Sequence, residues 1–227
     1  TQSRSSAASD VYKRQTIGRK IAMALSALFL MIFLLQHLTI NFTAVISPDT
    51  FNELSHFMGT NPVVQFFAQP ILIFAVVFHF VMGFYLEIKN RQARPINYAK
   101  NNGAANSTWM SRNMIYTGLV ILAFLVLHFI DFWLPEMNYK YIAQNPEDPT
   151  RYYEELLHKF EHPVRVIAYV VAFILLALHL LHGFGSAFQS MGQNNKYIDG
   201  LKKFGVFYSI AVPLGFIITA IVLYLQH

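Results

Sequence analysis

Five long apolar stretches, separated by shorter polar segments, dominate the pattern of the chain. Their approximate bounds are 21–45, 63–88, 113–134, 164–189 and 204–226. About 20 apolar residues are enough for a helix to cross the hydrocarbon core of a bilayer. We therefore predict an all-α fold, an integral membrane bundle of five transmembrane helices. Pro70 and Pro213 fall inside spans, where bundles tolerate proline if neighbouring groups satisfy the freed carbonyl.

The composition agrees with a membrane protein. Of the 227 residues, 55% are hydrophobic and 13% are charged, whereas about 25% of the residues in a soluble domain are charged. The length is sufficient for one helical bundle surrounded by membrane lipid rather than for several domains. The chain has no cysteine, which excludes disulfides, cysteine zinc sites, iron–sulfur clusters and covalent C-x-x-C-H haem attachment within this chain.

The first fifteen residues differ from all that follow. They read TQSRSSAASDVYKRQ, are rich in serine, do not begin with methionine and lack the apolar core of a secretory signal. We expect residues 1–15 to be a non-native or disordered segment, and residues 16–227 to form the five-helix membrane domain.

Lysine and arginine predict the orientation, because cytoplasmic loops carry the excess of both. The N-terminal segment and the loops after spans two and four hold Arg19, Lys20, Lys89, Arg91, Arg94, Lys100, Arg112, Lys196, Lys202 and Lys203. Loop 46–62 has no lysine or arginine, and loop 135–163 has three against six acidic residues. We predict the N-terminus inside and the C-terminus outside. The pI near 9.4 then reflects membrane topology, and we expect no nucleic-acid partner.

Two polar connections on the outer side have amphipathic patterns. In loop 135–163, Thr150 is placed to cap a short helix. The apolar side of that helix would consist of Tyr153, Leu156, Leu157 and Phe160. We expect this helix, and a second one within 47–58, to lie along the membrane interface. The alternative for each is a lid without a chemical role.

Histidine is the side chain that suggests chemistry. Of nine histidines, four lie outside the spans, where an ordinary solvated ring is the default: His56, His158, His162 and His227. Five lie within spans: His37, His79, His128, His179 and His182. Ionisable residues inside membrane helices are rare and mark function by default, although a single one could instead bond to a neighbouring helix.

The depth of these histidines sorts four of them into pairs. At 1.5 Å per residue, His37 and His128 lie about 24 Å and 21 Å from the inner ends of their spans. His79 and His179 lie about 12 Å and 15 Å from theirs. A zinc site would need three or four ligands at one level, and a proton relay would need carboxylates between the rings. Two stacked b-type haems, each held by two axial imidazoles, fit better.

The pattern His-x-x-x-Gly-Phe occurs twice, within FHFVMGF and LHLLHGF. Residues i and i+4 share a helix face, so Gly83 and Gly183 would clear space for a flat macrocycle beside each histidine. The competing explanation is that these glycines only let two helices approach closely. The repeated pattern favours His179 as the ligand in span four. The alternative is His182, which could otherwise hydrogen-bond a propionate.

An ordered set of segments carries a family resemblance. These are TIGRKIAMALSALFL (16–30), QHLTIN (36–41), FHFVMGFYLEIKNRQARP (78–95), LVLHFIDFW (125–133) and LHLLHGFGSAFQSMG (178–192). Together they resemble the two-haem cytochrome b membrane anchor of succinate dehydrogenase and fumarate reductase. The nearest form is the single-subunit anchor of bacteria such as Bacteroidetes. The resemblance covers about 16–227 and depends on the set rather than on one motif.

The resemblance implies a role in respiratory complex II. His37 and His128 would ligate the outer haem b, and His79 and His179 the inner one, which further favours His179. A flavoprotein and an iron–sulfur subunit would dock on the cytoplasmic side, against the cationic loops and Arg112. Electrons from succinate would pass through both haems to quinone, with menaquinone favoured. The chain would be a multi-pass protein of the bacterial cytoplasmic membrane without succinate chemistry of its own.

For each of the further site candidates, a role without ligand binding is an open alternative. On the outer side, the quinone candidates are Asn41, Glu53, His56, Asp131 and Trp133, any of which could be a loop or helix-end residue. Buried carboxylates need cations, so the propionate candidates are Arg19, Arg112 and Arg165, which could equally be interfacial topology markers. Span four contains no carboxylate for a proton path across the membrane.

Two other functions stay open at this point. One is a two-haem cytochrome b that serves another membrane dehydrogenase, such as a hydrogenase or a formate dehydrogenase. The other is a haem-free anchor or transporter whose histidines serve polar packing. The direction of the reaction, succinate oxidation or fumarate reduction, also stays open.

Overall fold

The computed structural model describes residues 2–92, 112–192 and 198–226, with side chains from residue 17 onward. Within these ranges every regular element is a helix, and five helical segments are long and apolar enough to cross a membrane. The predicted all-α, five-span fold class is confirmed, while the orientation of the termini stays a prediction. The predicted topology residues Arg94, Lys100 and Lys196, and also His227, lie outside the described residues.

Eight α-helices are described. They are α1 (Gln2–Ile46), α2 (Pro48–Thr60), α3 (Gln69–Gln92), α4 (Met114–His128), α5 (Leu134–Met137), α6 (Arg151–Phe160), α7 (Pro163–Ser190) and α8 (Ile198–Leu225). Three π-helical segments of five residues each continue or join them: π1 (Val64–Ala68), π2 (Phe129–Trp133) and π3 (Asn138–Ile142). Because α1 begins at Gln2, it includes most of the segment set apart as non-native or disordered; the proposed division of the chain stays a prediction.

The third span is longer than the sequence pattern indicated. We expected it to end near residue 134, but α4, π2, α5 and π3 run without a break from Met114 to Ile142. Pro135 does not stop the helix: it lies two residues after the π-helical turn π2, and local π adjustments of this kind help membrane helices tolerate proline. Much of loop 135–163 is therefore helical.

Four helices form a closed ring, and the fifth packs outside it. Around the ring, α1 packs against α3, α3 against α4, α4 against α7, and α7 against α1. Helix α8 packs on α7 and α1. Many large apolar side chains on the outside are exposed, such as Phe66, Ile32 and Phe207. Lipid tails are as apolar as these side chains, so this surface suits a bilayer.

The contact between α7 and α8 is the tightest in the fold. A Cβ atom on Gly205 would lie 2.4 Å from Cδ1 of Phe184, so the ring fits only against a glycine. Phe173 on α7 stacks on Phe216 on α8 with ring centroids 5.1 Å apart. Between Gly205 and Phe216 on α8, the hydroxyl of Tyr208 donates a hydrogen bond to the carbonyl of Met31 on α1.

Both predicted amphipathic helices are present. Ser47 caps α2 by accepting a hydrogen bond from the backbone N–H of Thr50. On α6, Leu156 and Phe160 are buried, which confirms its apolar side. Thr150 is the N-cap residue of α6, as predicted, but its side chain makes no capping hydrogen bond to the helix. Its hydroxyl donates instead to the carboxylate of Asp148 at 2.7 Å. The placement of α2 and α6 at the membrane interface stays a prediction.

Candidate functional site

The ring of helices brings four histidines together in two pairs. His37 on α1 and His128 on α4 have ring centroids 5.8 Å apart. His79 on α3 and His179 on α7 have ring centroids 6.5 Å apart. In the ring order, α1 is opposite α4 and α3 is opposite α7. Each pair therefore joins helices across the diagonal, so that both pairs lie within the bundle.

The two pairs lie at different depths. We call the end of the bundle at Ile17 the Ile17 end, and the other the Ile46 end. The side chain of His79 contacts Ser26, which lies eleven residues before His37 on α1. This spacing corresponds to about 16 Å along a helix. His79 and His179 thus form the near pair, close to the Ile17 end, and His37 and His128 form the far pair.

The separation of the rings fits one metal centre per pair. An imidazole nitrogen binds a metal at about 2.0–2.1 Å, so two rings on opposite sides of one metal have centroids about 6 Å apart. Both measured separations are close to this value. Within the described residues, no three or more His, Cys, Asp or Glu side chains cluster as a metal site would require. Each pair could therefore supply two ligands, and the remaining ligands of a metal would have to come from the bound group itself.

The near pair has a hydroxyl behind each ring. The Oγ atom of Ser26 lies 3.2 Å from Nδ1 of His79, and the Oγ1 atom of Thr117 lies 3.2 Å from Nδ1 of His179. Each hydroxyl also donates to a backbone carbonyl three residues earlier in its helix, at 2.8 Å and 2.9 Å. Ligand histidines in metalloproteins almost always bond through their second nitrogen, and the near pair has this arrangement.

The far pair is held by aromatic rings instead. Phe33 stacks on His37 with centroids 5.4 Å apart, and Phe124 lies 6.0 Å from His128. The amide of Asn41 donates to the carbonyl of His37 at 2.8 Å and lies 3.4 Å from its Nδ1. Nδ1 of His128 is buried, and among the described residues it has no hydrogen-bond partner.

The two glycines of the repeated pattern each face a methionine. A Cβ atom on Gly83 would lie 3.6 Å from Cε of Met23, and one on Gly183 would lie 3.5 Å from Cε of Met114. These are ordinary van der Waals distances, and the neighbour is in both cases the end of a flexible side chain. Packing between helices therefore does not by itself require glycine at either position.

A partly buried ion pair lies beside the far pair. The carboxylate of Asp131, in π2, bonds to the guanidinium of Arg165 and accepts from the hydroxyl of Tyr169 at 2.8 Å. The side chain of Asp131 is 2% exposed, and that of Arg165 is 35% exposed. We expected Asp131 to face quinone and Arg165 to face a propionate. The structure pairs them with each other, so the charge of each is already matched within the chain.

The remaining candidates are spread around the site. Arg19 donates to the hydroxyl of Tyr85 at 2.8 Å near the Ile17 end, and Arg112 is exposed at the same end. His182 is half-buried one turn beyond His179. Towards the Ile46 end, Glu53 is exposed, Trp133 lies beside Phe129, and His56 lies beside Tyr152. The roles assigned to all of them stay predictions.

Sequence reasoning missed the residues that support the histidines. The sequence does contain a signal for them, because α1 and α4 share the pattern Met-x2-(Ser/Thr)-x6-Phe-x3-His. In α1 these are Met23, Ser26, Phe33 and His37, and in α4 they are Met114, Thr117, Phe124 and His128. The helices α3 and α7 share His-x-x-x-Gly-Phe. The pairs α1/α3 and α4/α7 are therefore equivalent units, although the chain has no tandem repeat of the ordinary kind.

Comparisons with known proteins indicate similarity to a family of membrane subunits. The family model described as succinate dehydrogenase/fumarate reductase transmembrane subunit matches residues 2–89. The succinate dehydrogenase cytochrome b558 subunit of Bacillus subtilis (strain 168) is 28% identical over 118 residues, which are 51% of this chain and 54% of that relative. No solved structure matches the chain.

Both comparisons support this family. The five helices that are long and apolar enough to cross a membrane suit a membrane subunit of this kind. The chain spans about half the length of the curated relative that it matches.

Proposed function

We propose that the chain is the di-haem cytochrome b membrane anchor of a succinate:quinone oxidoreductase, and that it passes electrons between an iron–sulfur subunit and membrane quinone. The observation that carries this proposal is the arrangement of four histidines as two diagonal pairs at two depths. The family of membrane subunits supports it, as does the name of the Bacillus relative, which is a cytochrome b558 subunit.

In this proposal the two imidazoles of each pair would hold one haem b, which would supply one-electron redox chemistry when bound. The chain contributes ligand nitrogens, their orientation and an apolar surrounding. Around the far pair, Phe33, Phe124 and Phe132 contact the imidazole rings. Such walls exclude water and lower the local dielectric, which are two of the means by which a protein sets a haem potential.

The two depths define a route through the bundle. The near pair lies towards the Ile17 end, where Arg19, Lys20, Lys202 and Lys203 also lie. We infer that this cationic end faces the cytoplasm and receives the iron–sulfur subunit, which works with a flavoprotein. Quinone, with menaquinone favoured, would then react towards the Ile46 end, where Asn41, His56 and Trp133 are the nearest candidates. The far pair lies between the near pair and that end.

The proposal is tested by measuring the haem content and the absorbance spectrum of the purified chain. We expect two haem b per chain in a reduced-minus-oxidised spectrum, and co-purification of a flavoprotein and an iron–sulfur protein. His79→Leu should remove one haem and leave the other, while His37→Leu should remove the second. His158→Leu is the matched control, since His158 is exposed and bonds only to Glu161 among described residues.

Three results would contradict the proposal. A chain without b-type absorbance would favour the haem-free anchor or transporter. Retention of both haems in His79→Leu would show that the near pair is not a ligand pair. Co-purification with a different dehydrogenase would leave the haems in place but reject the succinate:quinone assignment.

A further inference from the structure

We propose that Ser26 and Thr117 are positioning residues that hold His79 and His179 in one tautomer, with the proton on Nδ1 and a free lone pair on Nε2. This inference rests on the proposed function, because it concerns the two histidines that would ligate the near haem. Neither hydroxyl touches the iron in this scheme. Each acts through the imidazole that it contacts.

The assignment of the tautomer follows from the number of hydrogen bonds that a hydroxyl can donate. A serine or threonine hydroxyl has one hydrogen to donate and two lone pairs to accept with. Ser26 donates to the carbonyl of Met23 at 2.8 Å, and Thr117 donates to the carbonyl of Met114 at 2.9 Å. These bonds are shorter than the 3.2 Å contacts to the imidazoles. Since each hydrogen is already committed, the oxygen can only accept from the ring, and Nδ1 has to be the donor.

The same device occurs twice, at corresponding positions of the pattern that α1 and α4 share. Ser26 lies in MALS on α1 and reaches the histidine of the neighbouring α3, whereas Thr117 lies in MIYT on α4 and reaches the histidine of the neighbouring α7. In both cases the back-bonded carbonyl belongs to the methionine three residues earlier. Thr117 is 5% exposed, so water does not compete well for its bond. Two equivalent hydroxyls facing two opposed imidazoles indicate a shared function rather than a chance contact.

The consequence is chemical as well as geometric. An imidazole that donates from Nδ1 is a more basic ligand at Nε2, and such outer partners fix the tautomer and the ring orientation. A more basic ligand stabilises the oxidised iron more than the reduced iron. The hydroxyls should therefore lower the potential of the near haem. The far pair lacks this device among the described residues, since Nδ1 of His128 has no partner and that of His37 faces an amide.

The experiment compares Ser26→Ala and Thr117→Val with the conservative Ser26→Thr and Thr117→Ser in the full chain. Loss of an outer partner typically weakens a metal site about 10- to 100-fold, so we expect weaker retention of the near haem in the first two variants. Each tenfold loss of preference for oxidised iron would raise its potential by about 59 mV. The near haem is identified by its absence in His79→Leu. The conservative variants should restore the original potential.

The matched control is Thr43→Val. Thr43 also lies on α1 and donates to a carbonyl three residues earlier, but among the residues that the structure describes no hydrogen bond to an imidazole accompanies this bond. It should leave both potentials unchanged. An unchanged near-haem potential in Ser26→Ala and Thr117→Val would overturn the inference while the proposed function stands. A wild-type chain without haem would instead overturn the proposed function.

A second measurement needs no variant and no haem. The ¹⁵N chemical shifts of the histidine rings in the haem-free chain distinguish the two neutral tautomers. We expect the Nδ1–H form for both His79 and His179. The Nε2–H form at either ring would contradict the inference regardless of how the variants behave.

Discussion

Replacing Gly83 with alanine separates the two explanations for the His-x-x-x-Gly-Phe pattern. In the structure, the new Cβ atom would lie 3.6 Å from the nearest neighbour, Cε of Met23, which is an ordinary contact. Alanine is favoured over glycine inside a helix by about 1 kcal/mol. The haem-free Gly83→Ala chain should therefore be at least as stable as the original, with a gain of up to about 1 kcal/mol. The same holds for Gly183→Ala, where the contact is 3.5 Å.

The same substitutions should weaken haem binding, although they do not destabilise the haem-free chain. Gly83 lies one turn from His79 on the same face of α3, so a methyl group there would occupy space beside the edge of a macrocycle ligated by that histidine. We expect Gly83→Ala and Gly183→Ala to lose near haem and to keep far haem. The assay is the ratio of haem to protein after purification, combined with thermal unfolding of the haem-free chain in detergent.

Gly205→Ala is the matched control for helix approach. Its Cβ would lie 2.4, 2.8 and 2.9 Å from three ring atoms of Phe184, and overpacking of this kind typically costs about 1–3 kcal/mol. We expect lower stability of the chain there without selective loss of one haem. If Gly83→Ala destabilises the haem-free chain as Gly205→Ala does and yet retains both haems, the glycines serve helix packing and the reasoning is refuted.

Two further outcomes follow from the charged groups near the Ile46 end. Removing one partner of a buried ion pair costs about 3–5 kcal/mol. Because Asp131 is far more buried than Arg165, Arg165→Met should lower the thermal stability more than Asp131→Asn, and the reverse order would contradict this. Hydrogen bonds from the hydroxyl and the backbone N–H of Thr150 lower the pKa of Asp148. Their stabilising effect should be complete above about pH 4 and be lost as the pH falls through the lowered pKa. An NMR titration should show a higher pKa of Asp148 in Thr150→Ala, and an unchanged value would count against the hydrogen bond.

Much of the site could be anticipated from depth along the chain. Helical rise converts residue number into distance, so His37 and His128 could be assigned to one level and His79 and His179 to another. The rings lie together in those pairs. Their roles as ligands stay predictions. Depth alone does not say which helices face each other, and the diagonal order of the ring came only from the structure.

Other features depended on contacts that periodicity does not encode. The pairing of Asp131 with Arg165 joins residues 34 positions apart, and each had been assigned to a different ligand. The third span extends beyond the expected bound near residue 134, because the π-helical turn before Pro135 lets the helix continue. Thr150 stands at the N-cap position of α6, but its hydroxyl bonds to the carboxylate of Asp148 instead of capping the helix.

The pattern of apolar and polar residues is sufficient to predict a bundle of five membrane helices with imidazoles at two depths. The reason is that hydrocarbon offers no hydrogen-bond partners, so a long apolar segment satisfies its backbone N–H and C=O groups by forming a helix. The tertiary structure decided which side chains stand behind those imidazoles. A hydrogen bond between Ser26 and His79 depends on how two helices are rotated and shifted against each other. Those quantities are set by the packing of all the side chains between the helices rather than by the pattern of either one.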